Sequence, residues 1–341
     1  MNNMQRKEFW DTLCSLDGRD IQADRKRLSE KIILPRYLYR YRDVTFNNLD
    51  ALKSNRLYFS LANYYDDPFD TFLHIDIEKI KSEFESNFSE EGITRLANAM
   101  KDIVDKSNTT FPEEFISIVS DPQRLKELHQ NGLTDAFLVQ ALELRNEIRK
   151  NTWSICFSES GFNEVLWLKY ANQYRGFVLI YDLNKTENIR CGKMDKCKNC
   201  GIFNHGTPLY PMCYLEEPYD ATNYAKFVMT QMVSARMNVQ IPQYIIDGLG
   251  SMAWEGERTT LIKKKCHQYD NEWRMVTGCA MKPPIMMEWI PDGVILGLRM
   301  EKSEENLVIS LARQAGIKKI YKSIINKNNL LDGYLLPEGY N

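Results

Sequence analysis

The sequence has no long apolar run. Its longest apolar stretches, such as FVLIY at residues 177–181, fall far short of the roughly 18 residues that a membrane-spanning helix requires. The opening MNNMQRKEFWDTL places charged side chains and Trp10 where a secretory signal would need a continuous apolar stretch. We therefore expect a cytoplasmic protein without a membrane segment, a compartment in which its eight cysteines would be free thiols or metal ligands.

The chain is also poor in glycine and proline and has almost no net charge. Its 17 glycines and 12 prolines among 341 residues exclude collagen-like and linker-dominated chains. Its 44 lysines and arginines nearly balance 46 acidic residues, and a net charge of −2 argues against bulk nucleic-acid binding while permitting a local basic patch. Hydrophobic residues, at 43%, are plentiful enough for an ordered globular core.

Common catalytic signatures are absent as well. The sequence contains no GxGxxG after a strand, no GxxxxGK[ST], no HExxH and no GxSxG. Only four histidines occur, which argues against a histidine-rich metal centre. His74 follows an acid-rich loop and is a candidate base, although a polar neighbour without catalytic role is the simpler interpretation.

The apolar pattern predicts an α+β fold, with a mixed β-sheet core and flanking helices. The pattern predicts a peripheral helical lead-in at residues 1–36. It predicts a single α+β domain at residues 37–341, with a helical insertion at about 77–150. Ser303 is expected to cap the last helix and Gly316 to end it. Strands are predicted at YLYRY, LYFS, WSICFS, GFVLIYD, LYPMCYL, NEWRMVTG, GVILGL and IKKIYKS.

A cysteine-containing segment spans about residues 191–213. Four of its residues offer thiolate or imidazole ligands for one tetrahedral structural zinc: Cys191, Cys197, Cys200 and His205. Cys213 lies slightly downstream. The CKNC pair has the usual two-residue gap but the other spacings are irregular, so a reduced cysteine cluster without metal is the alternative.

Polar side chains gather at the ends of the predicted strands and predict one shared cleft. They are Arg40, Arg42, Ser60, Asp66, Asp67, Asp70, Ser158, Glu159, Glu272 and Arg274. An arginine can bind a phosphate or carboxylate through two parallel N–H groups, and a glutamate can accept hydrogen bonds from sugar hydroxyls. An interior ion pair between Arg40 and Glu272 is the alternative.

Two further groups have a structural and a functional interpretation. Trp167 and Tyr170 recur at helical spacing with Tyr174, which indicates core or pocket wall. The run Lys263, Lys264 and Lys265 can contact phosphate, but we favour a solvated strand edge on which lysines prevent unwanted pairing.

Six segments resemble, in their order, an uncharacterised bacterial domain family over about residues 37–325. They are LYRYR, LYFSLANYYDDPFD, CFSE, LWLKYANQYRGFVLIYD, NEWRMV and GVILG. The resemblance implies no established activity. Where that family usually has Asn-Asp-Pro, this chain has Asp66, Asp67 and Pro68.

The order Arg40, Ser60, Glu272 is also similar to the R-S-E branch of the ADP-ribosyltransferase superfamily. That resemblance implies NAD as cofactor, with Arg40 holding its phosphates or ribose, Ser60 supporting the site and Glu272 binding the nicotinamide ribose while the glycosidic bond breaks. Asp270 stands where the superfamily has the first glutamate of an ExE pair, and Ser60 lacks the usual Ser-Thr-Ser setting.

Three hypotheses about function follow. The first is an NAD-consuming ADP-ribosyltransferase or NAD glycohydrolase in which Glu272, Ser60 and Asp67 are catalytic. The second is a sensor or binding module for a phosphorylated small molecule or a nucleic-acid end, which uses the arginines without chemistry. The third is a metal-dependent phosphoester hydrolase with the carboxylates of Asp66, Asp67, Asp70 and Glu159 as ligands. An anti-phage role is compatible with bacterial proteins of this kind.

Overall fold

The computed structural model describes residues 1–106, 110–191, 209–237, 243–278, 285–337 and 339–340. The fold is α+β, with helices packed around a mixed sheet, as the sequence predicts. Within these ranges none of the helices combines the length and the apolarity that crossing a bilayer demands.

The described helices fall into three groups along the chain. Two precede the first strand, five form the predicted insertion, and the rest lie between later strands, three of them in succession. They are α1 (Asn3–Ser15), α2 (Ile21–Ser29), α3 (Phe46–Lys53), α4 (Ile77–Ser86), α5 (Glu90–Lys106), α6 (Glu113–Val119), α7 (Pro122–Leu128), α8 (Thr134–Asn151), α9 (Glu164–Tyr170), α10 (Thr222–Met237), α11 (Gln243–Asp247), α12 (Glu255–Thr260) and α13 (Lys302–Gln314).

The described strands form one large sheet and two small ones. They are β1 (Tyr37–Arg42), β2 (Arg56–Tyr58), β3 (Ser60–Leu61), β4 (Thr152–Ser158), β5 (Phe177–Asp182), β6 (Arg190–Cys191), β7 (Leu209–Pro211), β8 (Cys213–Leu215), β9 (Ile262–Lys264), β10 (Glu272–Gly278), β11 (Met286–Glu288), β12 (Gly293–Leu296), β13 (Lys319–Ile325) and β14 (Leu331–Leu335). The large sheet has the order β14-β13-β12-β5-β1-β4-β10-β7, with β3 also paired to β4. Only β12 and β13 run parallel among its pairs, which makes the sheet mixed.

One edge of β4 is shared by two strands. β1 pairs with its end, at Tyr39 opposite Ser158, and β3 pairs with its beginning, at Ser60 opposite Ser154. Between these two pairs the described chain supplies no strand partner for this edge of β4. We call this opening between β1 and β3 the sheet split, and it positions the site described below.

The other edge of β4 pairs with β10 from Ser158 opposite Glu272 to Thr152 opposite Gly278. Directly opposed residues point to the same face of a sheet, and alternate residues point to opposite faces. Glu272 and Arg274 therefore share a face with Ser158, while Trp273 and Met275 on β10 point to the other face, into the main core.

The main core lies between the sheet and the helices α3 and α13. It is built from strand residues such as Leu38, Phe157 and Leu179 together with Val308 and Ile309 of α13. α13 begins one residue before the predicted cap: Glu301 occupies the N-cap without a side-chain hydrogen bond, so the prediction for Ser303 is wrong. Gly316 follows the helix with φ of +85°, as expected of a glycine that ends a helix.

The first two helices are more deeply packed than a peripheral lead-in. Phe9 and Leu13 of α1 are fully buried in a second apolar cluster against β8 and Trp254. The insertion, α4–α8, has a separate cluster that it shares with α10. The predicted strand LYPMCYL is two strands, β7 and β8, in different sheets.

Candidate functional site

A cavity of about 320 Å³ opens at the sheet split. That size is at the lower end of ligand pockets, which span about 300–1,000 Å³. Four charged residues that the sequence predicts on strands line this cavity: Arg40, Arg42, Glu272 and Arg274. The other predicted residues in its lining are Ser60, Asp66, Asp67, Asp70, Ser158 and Tyr170. The structure thus brings together residues that are far apart in sequence.

Two predicted site residues lie outside this lining. Glu159 points away from the cavity and accepts hydrogen bonds from Arg6 Nη2 at 2.7 Å and Trp273 Nε1 at 2.6 Å. Trp167 is fully buried, stacks on Tyr174 and donates from Nε1 to the carbonyl of Gly161. Neighbours on the protein occupy both side chains, and the burial of Trp167 agrees with the core position that its helical spacing indicates.

The floor of the cavity is a buried ion-pair network centred on Glu272. Its Oε1 lies 2.5 Å from Arg274 Nε and its Oε2 lies 2.6 Å from Lys263 Nζ. Arg274 also binds both carboxylate oxygens of Asp70, through Nη1 at 2.7 Å and Nη2 at 2.5 Å. Lys263 continues the network to Asp270 at 3.1 Å.

The network shifts the pKa values of its carboxyl groups in different directions. Burial by itself raises the pKa of Glu272, but the charges of Arg274 and Lys263 outweigh it and hold this pKa well below its ordinary range. The pKa of Asp70 is lowered by the same two cations against its burial. For Asp270, burial and the nearby charge of Glu272 outweigh the attraction of Lys263 and raise its pKa. Glu272 is therefore fixed as an anion, while Asp270 holds a proton more readily.

Arg40 is the exception to this balance of charges. Its side chain is 6% exposed, and its Nη2 donates to the carbonyl of Tyr58 at 3.2 Å. Its Nε and Nη1 are buried and have no hydrogen-bond partner. Burial lowers the pKa of this guanidinium. No described carboxylate forms an ion pair with Arg40, so the alternative of an interior pair with Glu272 is wrong.

The acidic loop that follows β3 is held by α8. Arg149 of α8 is buried and donates to the carbonyls of Ala62, at 3.0 Å, and of Pro68. Asp67 accepts the backbone N–H of Phe69 at 2.9 Å and lies 3.2 Å from His267 Nε2. The helical insertion therefore supports the loop that forms one wall of the cavity.

Backbone strain marks the end of this loop. Thr71 has φ of +54°, a left-handed conformation that costs energy in a β-branched residue. It is fully buried, and its hydroxyl lies within 3.3 Å of Arg274 Nη1 and 3.1 Å of Asp70 Oδ1. Strain of this kind persists where surrounding contacts determine the conformation, and it is common at ligand sites.

Tyrosine rings supply the apolar part of the lining. Tyr65 lies with its ring 5.2 Å from the Arg274 guanidinium, and its hydroxyl bonds to Ser154 Oγ. Burial raises the pKa of Tyr65 and of Tyr170, so both phenols stay neutral. Tyr64 is 79% exposed at the cavity. An exposed ring beside buried charges is suited to stacking on a planar ligand group.

Two charged residues of the site were not predicted from the sequence. Lys263, expected on a solvated edge, has a side chain only 7% exposed and lies among three carboxylates, so that expectation is wrong for it. Arg149 lies in the insertion, which gave no functional signal. Lys263 stands in a run with two other lysines, and the sequence does not indicate which of the three is buried.

The metal hypotheses find little support in the described residues. Asp70 is paired with Arg274 and lies 3.4 Å from Lys263 Nζ, and these two positive charges disfavour a metal ion at the same carboxylate. No group of three or more candidate ligands occurs in the described part of the chain. The proposed zinc ligands Cys197, Cys200 and His205 lie outside the described residues, and Cys191 is the last residue of β6.

Comparisons with known proteins found no match. No protein-family model, no curated protein and no solved structure matches it. The two resemblances drawn from sequence motifs therefore stay predictions, and the geometry of the cavity is the basis for the function proposed below.

Proposed function

We propose that the chain binds a phosphorylated small molecule in the cavity at the sheet split, with the anion at Arg40. The observation that carries this proposal is the pair of buried, unpartnered N–H groups on Arg40. A buried charge without a partner is costly, and it is common where a ligand supplies the missing charge. A phosphate oxygen matches the planar fork of a guanidinium.

The rest of the lining suits the neutral part of such a ligand. Tyr64 offers an exposed ring for stacking, and Ser60 offers a hydroxyl at the same cavity. The carboxylate of Glu272 retains a free acceptor position on each oxygen beyond its two ion pairs, and can accept hydrogen bonds from sugar hydroxyls. Together these groups favour a sugar phosphate or nucleotide.

Isothermal titration calorimetry with AMP, ADP-ribose and NAD tests this proposal, with adenosine as the uncharged comparison. Arg40→Gln is expected to weaken binding of the phosphorylated ligands at least about tenfold, since a charge-assisted hydrogen bond contributes about 1.5–3 kcal/mol. Arg95→Gln, which removes an exposed arginine from the distant insertion, is the matched control. Equal binding by the wild type and Arg40→Gln would contradict the proposal.

A second candidate is cleavage of NAD, favoured by the pair of carboxyl groups in the cavity. Glu272 is fixed as an anion, which can stabilise positive charge on a ribose. Asp270, with its raised pKa, is suited to accept a proton from water. The water oxygen would bond to the ribose C1′ as the C–N bond breaks and its electron pair leaves with nicotinamide. Asp270 would take one proton from the water, giving ADP-ribose.

Release of nicotinamide from NAD, followed by chromatography, tests this reaction. Glu272→Gln and Asp270→Asn are each expected to lower the rate at least about a hundredfold, the usual contribution of a catalytic acid or base. Asp270→Asn should leave NAD binding within about threefold of the wild type. Binding of NAD without any turnover by the wild type would eliminate the reaction and leave the binding function intact.

The cytoplasm is the compartment we propose for this function. Four described cysteines, Cys14, Cys156, Cys213 and Cys266, are free thiols, which supports a reducing environment. Burial raises the pKa of the Cys156 thiol, at the cavity, to about 12, so this thiol is a packing group rather than a nucleophile.

A further inference from the structure

A second cavity of about 520 Å³ adjoins the first and shares three of its lining residues, Arg40, Arg42 and Ser60. We call it the second chamber. It lies on the face of the sheet opposite Glu272 and Arg274, because Leu179 in its lining points into the main core. Arg40 is paired directly with Leu179, so its side chain points to this same face. Arg40, beside the sheet split, therefore lines both cavities.

The second chamber contains another unsatisfied arginine. Arg56 of β2 has a buried Nε without a hydrogen-bond partner, and no described carboxylate forms an ion pair with it. Arg40 is tied to the same strand through its bond to the carbonyl of Tyr58. Two arginines that lack counter-charges thus lie in one lining, and the Arg40 side chain is more than nine-tenths buried.

The first turn of α3 lies in the same chamber, which includes Asn47 and Asn48. The first backbone amides of a helix have no partner within the helix and carry partial positive charge. Of these, the amide of Asn48 donates to Thr45 Oγ1 at 3.4 Å. Asp50 is the one carboxylate in the lining, against three arginines. In the first cavity, by contrast, carboxylates outnumber the cations. The pair of chambers is therefore basic on one side and acidic and tyrosine-rich on the other.

We propose that the second chamber binds the outer phosphate of a diphosphate ligand, between Arg56, Arg40 and the first turn of α3. This inference rests on the proposed function and names its ligand class. A single phosphate at Arg40 would leave Arg56 unmatched, whereas a diphosphate reaches both. The sugar or ring of the ligand then occupies the first cavity, beside the tyrosines and Glu272.

Calorimetric titration with two matched pairs of probes tests the inference: ADP against AMP, and pyrophosphate against inorganic phosphate, all without magnesium. The second pair makes the result independent of the base. Wild-type protein is expected to bind each diphosphate at least about tenfold more tightly than its monophosphate. Arg56→Gln should reduce this preference to below about threefold while the Kd for AMP stays unchanged.

Lys53→Gln is the control, since it removes an exposed cation from the same helix α3 outside the chamber. Arg56→Lys keeps the positive charge but loses the two parallel N–H donors of the guanidinium, and it should recover part of the preference for diphosphate over monophosphate. Equal affinity for diphosphate and monophosphate, or an equal loss of both in Arg56→Gln, overturns the second-chamber inference and leaves the site at Arg40 standing. Failure of every phosphorylated probe to bind overturns the proposed function as well.

Discussion

Arg40 and Arg274 are both buried arginines, but their electrical surroundings are opposite. Arg274 is 1% exposed and is paired with Asp70 and Glu272. Arg40 is 6% exposed and has no carboxylate partner among the described residues. At the scale of the residue, the first arrangement stabilises the fold and the second costs stability, which is the pattern expected when a site is prepared for an anion.

This contrast predicts opposite effects of the same substitution. Arg40→Met should raise the free energy of unfolding by about 1–2 kcal/mol, because it removes an uncompensated buried charge. Arg274→Met should lower it by about 3–5 kcal/mol, because it removes one of the two cations that balance the buried carboxylates of Asp70 and Glu272. Urea denaturation of the two variants measures both values. A destabilisation of several kcal/mol by Arg40→Met would show that Arg40 has a structural role.

The ion-pair network also predicts how stability depends on pH. The folded-state pKa values of Asp70 and Glu272 are lowered, so their contribution is present above the unfolded values of about 4 and is lost as the pH falls below them. Asp270 acts in the opposite direction, because its pKa is raised. The free energy of unfolding should therefore fall between about pH 4 and pH 2.

Glu272→Gln is the variant that checks this assignment. It should be less stable than the wild type at pH 7 by about 3–5 kcal/mol and show a smaller loss on acidification. Urea titrations at a series of pH values give both quantities. If the free energy of unfolding of the variant and of the wild type depends on pH in the same way, other carboxyl groups cause the loss of stability in acid.

At the scale of the element, α8 connects the helical insertion to the acidic loop. The guanidinium of Arg149 binds loop carbonyls at Ala62 and Pro68, and the loop supplies Asp67 and Asp70 to the cavity. The insertion is separate in sequence and has its own apolar cluster, yet it positions part of the site. We therefore assign the insertion a supporting role in ligand binding.

Arg149→Met tests the link between α8 and the loop. It should lower the free energy of unfolding by about 1–3 kcal/mol, since it leaves buried carbonyls without donors. Faster amide hydrogen exchange is expected at residues 62–70. Lys150→Met, on the same helix but exposed and paired only with Glu147, should change stability by less than about 0.5 kcal/mol. Unchanged loop exchange in Arg149→Met would contradict the supporting role.

At the scale of the whole molecule, α1 belongs to the domain. The fully buried Arg6 donates from Nη1 to the carbonyls of Met212, at 2.7 Å, and of Glu272, at 2.9 Å. Phe9 and Leu13 pack against β8, which pairs with β9, and β9 contains Lys263. The first helix thus supports the strands that present the ion-pair network.

Phe9→Ala measures how far α1 contributes to the fold. It should cost about 3–5 kcal/mol, the usual effect of removing a fully buried phenylalanine. Phe46→Ala, at a position 84% exposed, should cost less than about 0.5 kcal/mol. Thermal or urea unfolding distinguishes the two. A small effect of Phe9→Ala would restore the interpretation of residues 1–36 as a peripheral lead-in.

The sequence by itself determined the α+β class, most of the sheet strands and the gathering of Arg40, Ser60 and Glu272, because local apolar periodicity encodes strands and neighbouring strands bring distant residues together. Only the tertiary structure decided the charge partners. Glu272 pairs with Lys263 and Arg274 rather than with Arg40, since strand register and the sheet split set these distances. Burial of one lysine in a run of three is likewise a property of the packed molecule, and no local pattern records it.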